Sequence, residues 1–178
     1  MSTVTVSDVT GKVGRELEQL FNEHYQFVYR TAHSLTANSE DAEDILQNIF
    51  MGLVRREFPP DLLRNPKAYF YRAAFNLSLN VIRDRRRRPS AEESEAIERI
   101  PSNGDLTAAE EELDRRLHEA IAALKPAAAQ VVLLRYVHSY SIAEIAKLLG
   151  TTRSVVAVTL FRARARLKKI LQAMEKQS

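Results

Sequence analysis

Chain breakers are scarce in this sequence and fall in few places. Its 178 residues hold 5 Gly and 6 Pro. A many-stranded sheet needs a turn every few residues, and turns draw on those residue types. Long helices are therefore favoured, and the apolar spacing agrees. From Glu16, the residues Leu17, Leu20, Phe21, His24, Val28, Thr31, Ala32 and Leu35 recur at steps of three and four. That is one face of a helix. The first 14 residues are polar and β-branched, carry Gly11 and Gly14, and read as a loose leader.

The same reading continues along the chain. Ser39 stands where a helix N-cap belongs, and Glu40, Asp41, Glu43 and Asp44 follow it. Acid there complements the helix dipole. The opposing apolar face is Ala42, Ile45, Leu46, Ile49, Phe50, Leu53 and Val54. Phe58-Pro59-Pro60 breaks this helix, and Asn65-Pro66 starts a third with Asn as cap and Pro at the first position. It is predicted to run to about Arg87, with Phe70, Ala73, Ala74, Leu77 and Val81 as core stripe. Its end, Arg83-Asp84-Arg85-Arg86-Arg87-Arg88, is more basic than a dipole complement requires. Further helices are expected from Asp105 or Thr107, from Pro126, from Ser141 to Gly150, and from Thr152 onward. Leu113, Leu117, Ala120, Ile121 and Leu124 form the core stripe of the first of these.

The net charge of +3 conceals a segmented layout. Residues 15–88 carry +2, residues 89–114 carry −8, and residues 115–178 carry +9. Residues 89–109 are acidic, polar and punctuated by Pro and Gly, so they read as a flexible linker. The expected architecture is all-α. A three-to-four-helix domain over 15–88 and a four-helix domain over 110–174 flank that linker. A strongly basic C-terminal third points to a polyanion.

Several function classes are excluded. No cysteine is present, so disulfides, thiolate metal sites and a thiol nucleophile are ruled out. The isolated glycines form no phosphate-binding loop. His24, His33, His118 and His138 lack metal-ligand spacing and read as packing or surface residues. No enzyme, cofactor or metal is expected. The start, Met1-Ser2-Thr3-Val4-Thr5-Val6, lacks a basic stretch followed by an apolar core. No apolar run approaches the roughly 20 residues of a membrane helix. Membrane insertion is not expected, and the cytoplasm is the expected compartment.

One stretch carries a specific signal. Ser141 and Glu144 make a capping box, and Gly150 suits a left-handed helix end. Ile142, Ala146, Gly150 and Val156 have the spacing of a helix-turn-helix. In that motif the second helix enters the DNA major groove. A plain two-helix hairpin is the competing reading. The tail Arg162, Arg164, Arg166, Lys168 and Lys169 favours DNA, as phosphate-binding charge.

At this point the chain resembles the extracytoplasmic-function (ECF) sigma factors of the bacterial sigma-70 family. Three motifs carry the resemblance. Asp41-Ala42-Glu43-Asp44-Ile45-Leu46-Gln47-Asn48-Ile49-Phe50 resembles the family's core-polymerase-binding helix. The stretch from Asn65-Pro66-Lys67-Ala68 to Asn76-Leu77 resembles the element that melts and reads the −10 promoter sequence. Ser141–Leu167 resembles the −35-reading helix-turn-helix.

The resemblance implies a transcription initiation factor that binds core RNA polymerase and promoter DNA and is held by an anti-sigma factor. Asp41, Asp44, Gln47 and Asn48 become the candidates for polymerase binding. Tyr69, Asn76, Asn80, Arg83, Arg86 and Arg87 become those for the −10 element. Thr152, Arg153, Ser154, Ala157, Thr159, Arg162 and Arg164 become those for the −35 element. The alternative is an ordinary helix-turn-helix regulator with an N-terminal sensing or dimerisation domain, which leaves the first two motifs unexplained. The chain also departs from the pattern. Asn48 replaces an acid and Tyr69 a Trp. Ala157-Val158-Thr159 replaces Lys-Ser-Arg, and Ala, Val and Thr suit thymine methyl groups.

Overall fold

A computed structural model describes residues 6–55, 58–87 and 108–176. The expected linker up to residue 107, the helix starts at Asp105 and Thr107, Arg88 and the side chain of Arg86 lie outside the described residues. Eight helices and no strand occur among the described residues. An N-terminal unit holds α1 (Val6–Thr36), α2 (Ser39–Val54), α3 (Pro60–Arg64) and α4 (Pro66–Arg87). A C-terminal unit holds α5 (Ala108–Ala122), α6 (Pro126–Tyr136), α7 (Ile142–Leu149) and α8 (Arg153–Glu175).

Three features of the N-terminal unit differ from the sequence reading. First, α1 starts at Val6, so the loose leader is helical from there on. Extending an existing helix fixes one residue per hydrogen bond, and a glycine costs only about 1 kcal/mol. Second, the cap of α2 is Asn38 rather than Ser39. The Asp41 N–H donates to Asn38 Oδ1 at 2.9 Å, from an extended backbone at Asn38. Third, α3 forms a single short helix after the proline pair, with Pro60 at its first position. The start of α4 is as expected: Ala68 N–H donates to Asn65 Oδ1 at 3.1 Å.

The core of this unit is formed by Val28, Ala32, Ile45, Ile49, Phe50, Leu62, Phe70 and Ala74. Phe50 stacks on Phe70 with centroids 5.0 Å apart, and Phe21 meets Phe50 edge-on at 4.9 Å.

The C-terminal unit is built around α6. Val131, Val132, Leu133 and Leu134 are consecutive and all buried. A helix apolar all round must be covered all round, and α5, α7 and α8 pack with it. In α5 only the later part of the expected stripe is buried. Ala120, Ile121 and Leu124 are inside, whereas Leu113 is 62% exposed and Leu117 is 40% exposed. The first turns of α5 project past the core, and ion pairs of Arg115 with Glu112 and Glu119 brace them. Capping of α7 follows the sequence closely. Ser141 N–H donates to Glu144 Oε2 at 2.8 Å, Glu144 N–H returns to Ser141 Oγ at 3.3 Å, and Gly150 has φ +66.

The two units pack on each other. Leu35 of α1 with Tyr71 and Phe75 of α4 joins the same buried cluster as the C-terminal core. Tyr71 is fully buried and donates its hydroxyl to the Gln130 carbonyl at 2.9 Å. Burial holds that hydroxyl far above its ordinary pKa, so it stays a donor. The turn after α6 supplies the other half of the contact. Ser139 takes φ +58 there, and Tyr140 N–H returns to the Leu134 carbonyl at 2.9 Å. This aims His138 at Phe27, 4.4 Å between ring centroids. Lys67 Nζ lies 4.7 Å from the Tyr140 ring centroid and 5.4 Å from that of Phe27.

The two tyrosines at this contact should separate on mutation. Tyr71→Phe loses a buried hydrogen bond and should destabilise the protein by about 1 kcal/mol. The buried Tyr140 hydroxyl has no hydrogen-bond partner. Tyr140→Phe should therefore change stability little or raise it. Urea unfolding of the two variants checks this ordering.

Candidate nucleic-acid interface

Helix α4 has three working faces. Phe70, Ala74, Leu77 and Val81 pack into the N-terminal core. Tyr71, Phe75, Leu79 and Ile82 meet the C-terminal unit. The third face carries Arg72, Asn76, Asn80, Arg83 and Arg87, all exposed, with half-buried Tyr69 at its start. These residues follow steps of three and four, so they line up along one side. The structure thus gathers five of the six expected −10 residues and adds Arg72, which the sequence reading passed over. Arg72 is 3.9 Å from Asp61, a loose exposed contact that leaves its charge available. Asn offers both donor and acceptor, and Arg offers phosphate-binding charge.

Helix α2 separates its four candidates. Asp44, Gln47 and Asn48 are exposed on one side. Asp41 is not part of a free acidic face: its side chain is 22% exposed and pairs with Arg85 of α4. Arg85 also donates to the Thr36 carbonyl at 3.3 Å, at the end of α1. One arginine therefore ties the end of α1, the start of α2 and the end of α4. Burial pushes the Asp41 carboxyl above its ordinary pKa, and Arg85 opposes that shift. Neither partner was expected in this role. The only sequence hint was an extra arginine in a run already too basic for a helix end.

Between α2 and α4 lies a groove of about 240 Å³. Asn48, Gly52, Tyr69, Ala73 and Leu77 line it, so one expected polymerase contact and one expected −10 contact face the same space. The wall is mostly apolar, with an amide and a phenol as its polar groups.

Helix α8 presents the second basic surface. Val156, Leu160 and Ala163 anchor it. Thr152 caps it, accepting from Val155 N–H at 3.3 Å. Thr152, Arg153, Ser154, Ala157, Arg162 and Arg164 are exposed, and Thr159 is half-buried. Val155, Val158 and Phe161 are exposed as well, at 53%, 48% and 76%. Of these only Val158 carries a sequence expectation, as a partner for thymine methyl groups; Val155 and Phe161 are apolar side chains that a sequence assigns to a core by default.

The four histidines are packing residues, His118 among them with a side chain 12% exposed. His24 sits 4.9 Å from Phe70, His33 lies against Tyr29 and His118, and His138 is in the contact between the units. Among the described residues no cluster has the makings of a metal site, and no helix is long and apolar enough to cross a membrane.

Comparison with known proteins relates both units to one family. The family model "Sigma-70 region 2" matches residues 20–88, and "Sigma-70, region 4" matches residues 114–167. The ECF RNA polymerase sigma factor SigE of Mycolicibacterium smegmatis is 28% identical over 159 residues, 86% of this chain and 61% of that protein. The ECF RNA polymerase sigma factor SigM of Mycobacterium tuberculosis is 29% identical over 159 residues, 86% of this chain and 76% of that protein. Among solved structures, CnrH, in complex with the cytosolic domain of CnrY, shares the fold. Its TM-score is 0.59 at 23% identity, over 92% of this chain and 95% of that one.

The Arg85 tie gives a direct test of the geometry. Arg85→Ala leaves a partly buried carboxylate without its partner and should cost about 1–2 kcal/mol. Asp41→Asn removes the buried charge as well as the ion pair, so it should cost less. Denaturant unfolding at neutral pH compares the two.

Proposed function

The chain belongs to the sigma-70 family, and from that premise we propose that it is an ECF-type transcription initiation factor. It binds core RNA polymerase in the cytoplasm and directs it to promoters. The observation that carries this reading is the pair of separate basic faces on α4 and α8. Both point to solvent, while other faces of the same units are buried. An ordinary helix-turn-helix regulator needs only the second face, and the match over residues 20–88 gives it no purpose.

The roles divide by chemistry. Asp44, Gln47 and Asn48 dock on the polymerase, with Asp41 holding the helix in place through Arg85. Arg72, Arg83 and Arg87 bind phosphates beside the −10 element, and Arg86 is assigned to the same run. Asn76 and Asn80 read base edges, since amides donate and accept. The groove beside Tyr69 and Asn48 receives an unpaired base, stacked and then hydrogen-bonded. Strand opening is driven by binding energy, with no covalent step and no cofactor. Thr152, Arg153, Ser154, Ala157, Thr159, Arg162 and Arg164 meet the −35 element. An anti-sigma protein holds the free chain.

The packed arrangement is a resting form. The two promoter elements lie about 25 base pairs apart, roughly 85 Å at 3.4 Å per step. A compact chain of 178 residues has a radius of gyration of about 16 Å, a diameter of roughly 40 Å. Both faces cannot reach their elements until the units part.

His138 makes that parting sensitive to pH. Thr31 Oγ1 donates its one proton to the Phe27 carbonyl at 2.7 Å, so it accepts from His138 Nε2–H at 2.9 Å. From α1 the ring faces Phe27, Arg30 and Thr31. From α4 it faces Lys67 and Tyr71, and from its own turn Tyr140. Among the described residues no acid answers a charge there. Burial first, then Arg30 and Lys67, lower the pKa to about 4. A lowered value favours the neutral ring in the packed form. Packing is therefore strongest above the ordinary value of 6.5 and is lost as pH falls through about 4.

Two experiments test this reading. Core polymerase, the purified chain and promoter DNA should assemble and initiate. Asp44→Lys should weaken polymerase binding by about tenfold, leaving the fold intact by circular dichroism. Tight duplex binding by the chain alone, with no polymerase complex, would defeat the proposal. Separately, dyes on α2 and α8 should report the packed-to-open ratio falling about tenfold from pH 7.5 to 5.5. His138→Gln should flatten that response.

A further inference from the structure

The exposed face of α8 is apolar at its crest and basic on its flanks. Val156, Leu160 and Ala163 are buried. Opposite them, at helical steps, stand Ser154, Val158, Phe161 and Ala165, all exposed. Exposed Val155 lies on one flank, between Arg162 and Arg166. Arg162 and Arg166 lie to one side of it, and Arg153, Arg164 and Lys168 to the other. A soluble helix does not ordinarily expose a 76% accessible phenyl ring next to an exposed isopropyl group.

We infer that this ridge is the specificity-determining surface of the helix, and that it selects a thymine-rich −35 element by contact with thymine 5-methyl groups. The inference rests on the −35 role proposed for α8. Its argument is one of chemical matching. In a helix seated in the major groove, the flanks meet the two phosphate strands and the crest meets base edges. The flanks are cationic on both sides, as two phosphate strands require. The crest offers almost no hydrogen-bonding group, since only Ser154 carries one. Guanine readout by Arg or adenine readout by Asn or Gln is therefore absent from it. Among the major-groove edges of the four bases, thymine alone presents a methyl group. Val158 and Phe161 are placed to cover it. The other occupant of an apolar ridge is an amphipathic helix from a protein. Cationic flanks on both sides favour the duplex.

The experiment uses the full chain bound to core polymerase. Duplexes randomised over the −35 region are selected for binding, and each enriched thymine is then replaced by deoxyuridine. That change removes the methyl and keeps every hydrogen bond. The expected result is enrichment of thymine at two or more positions, with about fourfold weaker binding per methyl lost. Val158→Ser and Phe161→Ser lie on the surface and should leave the fold unchanged. They should also make thymine and uracil duplexes bind alike. Arg162→Ala should weaken both duplexes equally and reduce the salt slope by about 1. Equal binding of thymine and uracil duplexes by the unmodified chain overturns the inference while leaving the −35 role standing. Unchanged DNA binding by the serine variants, with lost binding of a protein partner, assigns the ridge to that partner instead. Selection of no duplex at all removes the −35 reading together with this one.

Discussion

The burial of Tyr71 and Phe75 is the constraint on which the arrangement depends. Both lie on α4, both are fully buried, and most of the cluster they join belongs to the other half of the chain. A helix advances about 100° per residue, so 22 residues can supply three distinct faces. In α4 one face builds a core, one binds the C-terminal unit and one is left for a ligand. No face can rotate without moving the other two. The spacing of Asn76, Asn80, Arg83 and Arg87 is thus held by aromatic packing on sides they never touch. A surface supported in that way keeps its geometry when the ligand is absent.

Charge placement follows the same logic. Arginines are abundant at the end of α4, and they do different things. Arg85 turns inward to Asp41 and the Thr36 carbonyl, whereas Arg83 and Arg87 stay exposed. A run of like residues on a helix is spread over all sides by the helical step. A basic cluster in sequence is therefore part scaffold and part surface. The same holds on α2, where Asp41 braces the fold and Asp44 faces outward.

Local chemistry was legible wherever it was settled within a few residues. Asn65 before Pro66, the Ser141 and Glu144 pair, and Gly150 at positive φ all appear where the sequence placed them. Each depends on one side chain and the backbone beside it. Ser39 and Asn38 are both competent caps, and which one serves is decided by where α1 ends, with Ala37 at φ +52 between the helices. Leu113 and Leu117 have core spacing and no core to meet, because the helix they sit on outruns its neighbours. The contact between the units was not legible at all. Periodicity shows that a helix has an apolar side; it does not show that Tyr71 and Phe75 continue the stripe onto a second partner.

That second partner has an energetic consequence for the proposed role. Each aromatic ring at the contact buries about 150–250 Å² when fully covered, and exposure costs about 25 cal/mol per Å². Even partial uncovering of Tyr71, Phe75 and Phe27 therefore opposes opening by several kcal/mol. Below the ordinary histidine value an ionic term works the other way, since burial and then Arg30 and Lys67 oppose a charge on the packed His138 ring. Promoter DNA alone must bridge roughly 85 Å before it gains both faces. It then meets the cost of opening before it collects the benefit. A partner that first grips the N-terminal unit avoids that ordering, because Asp44, Gln47 and Asn48 on α2 are exposed in the packed form. In the proposed role polymerase therefore opens the chain first, and DNA selects among the molecules already opened.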